Sequence, residues 1–132
     1  PNAEWEESIQ ITAALFQAMR TEASKAGANF LVVYLPNDFE MVDEQWRNVV
    51  QLPTENCLAG VKIDRREIEN KFLRAAKSSG VEYVSLYDYF LEEVRKQHGK
   101  PLFLDDGHFN STGHFLLASV LAKELASRNT LK

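Results

Sequence analysis

Two short apolar runs, each bounded by turn residues, limit most strongly what this chain can fold into. The first covers residues 29–35, reads NFLVVYL and ends at Pro36, and the second covers residues 81–86, reads VEYVSL and follows Gly80. Their length and β-branched content favour strands. The first run has no polar alternation, which predicts a strand with both faces covered, as in a parallel sheet.

Amphipathic segments surround these runs. Apolar residues recur at spacings of three and four, and turn-forming residues such as Gly27, Pro53, Gly80 and Gly99 follow the periodic stretches. Asp64 and Glu67 have the spacing of a capping box, with the helix beginning at Asp64. The pattern predicts five helices, at residues 2–26, 38–51, 64–80, 87–97 and 111–127.

Helices that alternate with apolar strands are typical of the α/β class, with right-handed crossovers between parallel strands. We expect a three-layer α/β/α arrangement in a single domain over residues 1–132. Only two or three strands can be counted, and the chain opens on Pro1 rather than Met. We therefore expect an incomplete sheet that is part of a larger domain.

Charge and cysteine content exclude several classes of function. The net charge is −4 and acids and bases are mixed, so no basic stripe is present to bind nucleic acid. Cys57 is the one cysteine, so neither an intrachain disulfide nor a cysteine-based zinc site can form. No apolar stretch is long enough to span a membrane, and we expect no cofactor.

Residues 105–114, which read DDGHFNSTGH, carry the chemically most capable side chains. A catalytic histidine needs a carboxylate on Nδ1 to fix its tautomer and stabilise the imidazolium. Asp105 and Asp106 both precede His108 closely enough to supply it, with Gly107 giving the loop conformational freedom. Asn110 or Ser111 is suited to cap the last helix, and His114 is a candidate to support the loop from that helix. From spacing alone, a solvated acidic turn with an exposed histidine is the simpler interpretation.

The segment DDGHFNSTGHFLLASVLAKEL resembles the last conserved block of SGNH (GDSL-type) serine hydrolases. The stretches RREIENKFLRAAKSSGVEYVSLYDYF and NFLVVYLPNDF resemble, at the level of pattern, the preceding helix and strands of that family. The resemblance implies a flavodoxin-like three-layer fold and an Asp-x-x-His pair that serves as acid and base. It implies that His108 is the base and Asp105 its partner, with Asp106 as the alternative.

One part of the family pattern is missing. The nucleophilic serine of these enzymes lies in a Gly-Asp-Ser-like turn, and no such turn occurs here. The chain therefore looks like the C-terminal half of the enzyme, which contributes the Asp–His pair and has no esterase activity alone. None of its serines is predicted to be a nucleophile: Ser8, Ser24, Ser78, Ser79, Ser85, Ser111, Ser119 and Ser127.

The implied function is that of an esterase, acyl hydrolase or acyltransferase acting on a small-molecule or carbohydrate ester. Two other hypotheses stay open at this stage. Asp106, His108 and His114, assisted by Asp105 or Asn110, could converge on a cation such as Zn²⁺. The chain could also be a non-catalytic α/β interaction module. An incomplete sheet further predicts self-association, or association with a missing N-terminal half.

Overall fold

The computed structural model describes residues 3–50, 64–96 and 102–128. These contain six helices and two strands in the order α1 (Ala3–Lys25), β1 (Leu31–Tyr34), α2 (Asp38–Met41), α3 (Asp43–Val50), α4 (Glu67–Ser79), β2 (Glu82–Ser85), α5 (Tyr87–Lys96) and α6 (Ser111–Ser127). The protein is mostly helical with a small parallel sheet, which is compatible with the α/β class. The three-layer arrangement stays a prediction. Cys57 lies outside the described residues.

The two strands pair in parallel, as the sequence predicted. Leu31 aligns with Glu82 and Tyr34 with Ser85, and α4 lies on the chain between the strands. A parallel pair needs a crossover connection, because the chain must return to the same end of the sheet. Gly80, at φ 65°, ends α4 in the left-handed region that glycine adopts readily, immediately before β2.

The described residues form two compact units. The first contains residues 3–34 and 68–85, and the second contains residues 35–50, 64–67, 86–96 and 102–128. No helix among the described residues is both long enough and apolar enough to cross a membrane.

The first unit packs α1 and α4 against one face of the sheet. Val32, Ala76 and Val81 are buried at its centre, with Phe16, Phe30, Phe72 and Tyr83 around them. Phe72 lies edge-on to Phe16 at 5.7 Å between ring centroids and 5.0 Å from the ring of Tyr34. This aromatic contact joins α1, α4 and β1.

Polar contacts add to the packing between α1 and α4. Arg74 donates to both carboxylate oxygens of Glu6, at 2.7 and 3.1 Å. The ammonium of Lys71 lies 3.4 Å from the ring centre of Trp5. Such exposed ion pairs and cation–π contacts contribute modestly, so the aromatic core provides most of the stability.

The segment predicted as one helix over residues 38–51 is two helices, so that prediction was wrong. Val42 is extended, with φ −102° and ψ 123°. Its N–H donates to the Asp38 carbonyl and its own carbonyl accepts from the Trp46 N–H, which ends α2 and begins α3. A break of one residue leaves the apolar spacing of four almost unchanged, and periodicity therefore could not detect it.

The start of α4 also differs from the prediction. The Asp64 carboxylate accepts the N–H of Arg66 at 2.8 Å, and the Asp64 carbonyl accepts the N–H of Glu67 at 2.9 Å. The aspartate therefore closes a turn with the residue two positions on, and α4 begins at Glu67. Local aspartate turns of this kind compete with helical capping.

We predict that Phe72→Ala destabilises the chain by about 2 kcal/mol, because it removes a half-buried ring that joins three elements. Urea unfolding followed by circular dichroism measures the free energy of unfolding. Phe115→Ala is the matched control: Phe115 is 75% exposed on α6, and its loss should change stability by less than about 0.5 kcal/mol. Equal effects of the two variants would contradict the assignment of this core.

Candidate functional site

Residues 102–110 form a tight antiparallel hairpin in the second unit. Phe103 and Phe109 are bridge partners, and the N–H of Asn110 donates to the Leu102 carbonyl at 3.0 Å. The loop closes with two bonds, from the Gly107 N–H to the Leu104 carbonyl at 3.0 Å and from the Leu104 N–H to the His108 carbonyl at 2.7 Å. The predicted polar loop is therefore a three-residue hairpin loop of Asp105, Asp106 and Gly107.

Gly107 makes this short loop possible. Its φ is 85°, in the left-handed region, which is the conformation that three-residue hairpin loops require at their last position. A Cβ atom on Gly107 would lie 3.4 Å from the carboxylate of Asp38. Asp38 is thus in contact with the loop.

The sequence analysis did not identify Asp38 as part of this region. It is the second polar residue after Pro36, just beyond the end of β1. Residues at the carboxyl ends of parallel strands commonly gather at sites in α/β proteins, and that position was the available signal.

The inner face of the hairpin is an aromatic cluster. Phe109 lies 5.1 Å from Phe103 and 4.9 Å from Phe90 of α5, measured between ring centroids. Phe90 is fully buried and Phe103 is 6% exposed. Burial of these rings fixes the hairpin on α5, and its opposite face is left toward solvent.

The start of α6 holds the hairpin from its other end. The Asn110 side chain accepts the N–H groups of Thr112 at 2.9 Å and Gly113 at 3.0 Å. Of the two predicted caps, Asn110 is therefore the cap, and Ser111 is the first residue of the helix. Gly113 is buried against the hairpin, and a Cβ there would lie 2.4 Å from the Leu102 carbonyl oxygen. The absence of a side chain at Gly113 is therefore what lets the hairpin backbone reach the helix.

Among the predicted site residues, the structure brings His108 and Asp106 together. One Asp106 carboxylate oxygen accepts the backbone N–H of His108 at 3.1 Å and lies 3.2 Å from Nδ1 of the same residue. The side chains are 81% and 66% exposed for His108 and Asp106, respectively. The imidazole is thus accessible. The Asp106 carboxylate lies at Nδ1, which is the nitrogen at which a catalytic histidine is oriented by its acid.

The hydrogen bond from the His108 backbone, followed by that from its ring, holds the pKa of the Asp106 carboxyl below its ordinary value. Each bond favours the charged carboxylate. A carboxyl with a lowered pKa in the folded state stabilises the fold above its unfolded pKa. That contribution is lost as the pH falls through the lowered value.

Two other predicted residues take no part in this contact. Asp105 is exposed at the first position of the loop and makes no hydrogen bond or ion pair within the described part of the chain. His114 is exposed on α6, and its ring lies edge-on to Phe109 at 5.9 Å between centroids. The His114 ring therefore supports the aromatic cluster beneath the loop through Phe109.

The serines of the chain all lie within the described residues, and most of their hydroxyls donate to acceptors in the same or a neighbouring element. Ser85 donates to Glu69 at 2.5 Å. Ser111 is the first residue of α6, directly after its cap. Five other serine hydroxyls donate to carbonyls of their own helices: Ser8, Ser78, Ser79, Ser119 and Ser127.

The metal alternative receives no support from the geometry. Across residues 3–50, 64–96 and 102–128, no three histidine, cysteine, aspartate or glutamate side chains lie close enough to share an ion. Asp106 and His108 form a pair without a third ligand.

A protein-family model matches most of the chain. The model of a family described as SGNH domains fused to AT3 domains matches residues 2–123. No curated protein and no solved structure shows significant similarity to the chain. The matched region includes the whole hairpin, the first unit and the second unit as far as residue 123.

We predict that Gly113→Ala lowers the free energy of unfolding by at least about 2 kcal/mol, because the new Cβ must displace a backbone carbonyl. The substitution otherwise favours a helix by about 1 kcal/mol, so a net loss is diagnostic of the close approach. Ser119→Ala, at an exposed position of the same helix, is the control and should be neutral. A stabilised Gly113→Ala variant would show that the hairpin does not approach α6 so closely.

We also predict that the Asp106 carboxyl titrates at a lower pH in the folded chain than in a peptide of residues 102–110. Carboxyl chemical shifts followed by nuclear magnetic resonance give both midpoints. In His108→Ala the midpoint should rise only partway, because the backbone N–H, the larger cause, remains. Identical midpoints in the folded chain and the peptide would disprove the contact.

Proposed function

Because the chain belongs to the family of SGNH domains that are fused to AT3 domains, we propose that it supplies the acid–base pair of a serine-dependent ester hydrolase or acyltransferase. Membership makes it a domain of the hydrolase or acyltransferase kind. The finer assignment is supported by one observation. The imidazole of His108 is accessible and has the Asp106 carboxylate 3.2 Å from its Nδ1, on a hairpin held by α5 and α6.

In the proposed reaction, His108 moves protons between two oxygens. A serine hydroxyl attacks the ester carbonyl carbon, and Nε2 of His108 takes the hydroxyl proton. The C–O bond to the alcohol then breaks, and the imidazolium returns the proton to the departing alcohol oxygen. Water or a second alcohol, deprotonated by His108, then attacks the acyl carbon. The bond from that carbon to the serine oxygen breaks, and His108 returns the proton to the serine oxygen. Water gives hydrolysis, and the alcohol gives transfer.

The nucleophile of this scheme is proposed to lie in another segment of the natural protein. No Gly-Asp-Ser turn occurs in the 132 residues, and most serine hydroxyls donate to nearby acceptors. The chain by itself is therefore expected to be inactive on esters. Its proposed substrates are small-molecule or carbohydrate esters.

We propose Asp105 as the acid that orients His108 during catalysis, because its spacing is the Asp-x-x-His of the resemblance. Asp106 is the alternative, and it is the carboxylate at Nδ1 in this structure. The same Asp106 oxygen accepts a backbone N–H within the turn, so shaping the loop explains that contact as well. Asp105 has no such structural bond, which leaves it available.

The test uses the natural full-length protein and the hydrolysis of 4-nitrophenyl acetate. We expect His108→Ala to lower kcat/KM by about 10³-fold or more, and Asp105→Asn by a comparable factor, since loss of the orienting acid sets the wrong tautomer. Asp106→Asn should cost less than about tenfold, because asparagine retains an oxygen that can accept the His108 N–H.

Thermal melts of each variant provide the control for folding. If Asp106→Asn is the more damaging change, Asp106 is the acid, and the proposal of a carboxylate–histidine pair still stands. Full activity in His108→Ala would refute the proposed function.

A non-catalytic interaction module is the second candidate, and it is favoured by the surface of α1. Ile11, Leu15 and Met19 recur every four residues and are each more than half exposed. Apolar stripes of this kind mark contact surfaces. Absence of esterase activity in the natural full-length protein with His108 intact would make this candidate the leading one.

A further inference from the structure

The hairpin places one apolar side chain beside His108 on its solvent face. Leu104 and His108 flank the loop as direct cross-strand neighbours, joined by the 2.7 Å bond from the Leu104 N–H to the His108 carbonyl. Side chains of directly opposed residues in an antiparallel pair lie on the same face, with Cα atoms about 5.5 Å apart or closer. The next pair, Phe103 and Phe109, points to the opposite face, into the aromatic cluster.

Leu104 differs from the apolar residues around it. Leu102 and Phe103 are 1% and 6% exposed, whereas Leu104 is 53% exposed. A single exposed leucine is common on protein surfaces and carries no meaning by itself. Here its position is defined by the pairing with His108, so any molecule that reaches the imidazole from this face also meets Leu104.

The proposed role of His108 determines which part of the ester lies beside Leu104. His108 protonates the departing alcohol oxygen, so the alcohol must lie on the histidine side of the scissile bond. The acyl group, which stays on the serine, lies on the other side. An alcohol that enters as the second nucleophile passes through the same position, since His108 must remove its proton.

We infer that Leu104 is a specificity-determining residue that contacts the alcohol part of the ester. The matching substrates carry apolar carbon surface next to the ester oxygen, such as an alkyl chain or the C–H face of a ring. This inference rests on the proposed function, because it takes the role of His108 as given. Leu104 sets alcohol preference and takes no part in proton transfer.

The experiment compares esters that share an acyl group and differ in the alcohol. In the natural full-length protein, kcat/KM is measured for hexyl acetate and ethyl acetate, and their ratio is the readout. Leu104→Ala should lower this ratio about tenfold, since lost apolar contact with a substrate chain has effects of this size. Leu104→Met, which keeps a comparable apolar volume, should restore most of the ratio.

Two comparisons isolate the effect. Ile68→Ala removes another exposed aliphatic side chain, 41% exposed on α4, and should leave the ratio unchanged. The ratio of ethyl butyrate to ethyl acetate should also stay constant in Leu104→Ala, because it varies only the acyl group. A change confined to that acyl ratio would overturn the inference.

The outcomes distinguish a failure of this inference from a failure of the proposed function. If His108→Ala abolishes turnover and Leu104→Ala leaves the alcohol ratio intact, Leu104 has no part in specificity while the proposed function stands. If His108→Ala retains activity, the proposed function fails and this inference fails with it. A ratio that falls in Leu104→Ala alone, and recovers in Leu104→Met, supports the inference.

Discussion

The approach of the hairpin backbone to α6 is the constraint on which the candidate site depends. The Leu102 carbonyl oxygen lies 2.4 Å from the position that a Cβ of residue 113 would take, so only glycine permits the contact. The Asn110 cap joins the same two elements through hydrogen bonds, and the Phe90, Phe103 and Phe109 rings fix the hairpin from beneath. An exposed histidine on a free loop would sample many positions. Here the backbone of His108 is held by contacts that its own side chain does not make, which is the preorganisation that acid–base chemistry requires.

The hairpin separates its structural and chemical roles by strand alternation. One face carries the aromatic rings that bury the element, and the other carries His108 and Leu104 toward solvent. Because the two sets of side chains alternate along the same backbone, the chemistry can vary without loss of the core. The loop between them is short because Gly107 accepts a positive φ, and Asp106 adds a turn bond to the His108 backbone.

The two carboxylates illustrate the limit of reading a site from spacing. Asp105 and Asp106 lie within three residues of His108 and are chemically equivalent in the sequence. The turn geometry makes them different: one accepts a backbone N–H within the loop, and the other extends from its first position. The lowered pKa of the Asp106 carboxyl follows first from the His108 backbone N–H in that turn and then from the His108 ring.

The sequence by itself determined the local elements and the chemical inventory of this protein. Short apolar runs predicted the two parallel strands, the spacing of apolar residues placed α1, α5 and α6 to within a residue or two, and Asn110 and Ser111 were the two predicted caps of α6. Its motif identified the family and the region of the candidate site. These features depend on interactions between residues that are near in sequence, which patterns record.

Only the tertiary structure decided the break at Val42, the contact of Asp38 with the loop, the choice of Asp106 as the carboxylate at Nδ1, and the pairing of Leu104 with His108. Each of these depends on a single backbone conformation or on a contact between distant segments. Such features cannot be detected from the spacing of apolar residues. The spacing stays the same when one residue is extended, one glycine is left-handed or two segments approach closely, although different side chains then meet.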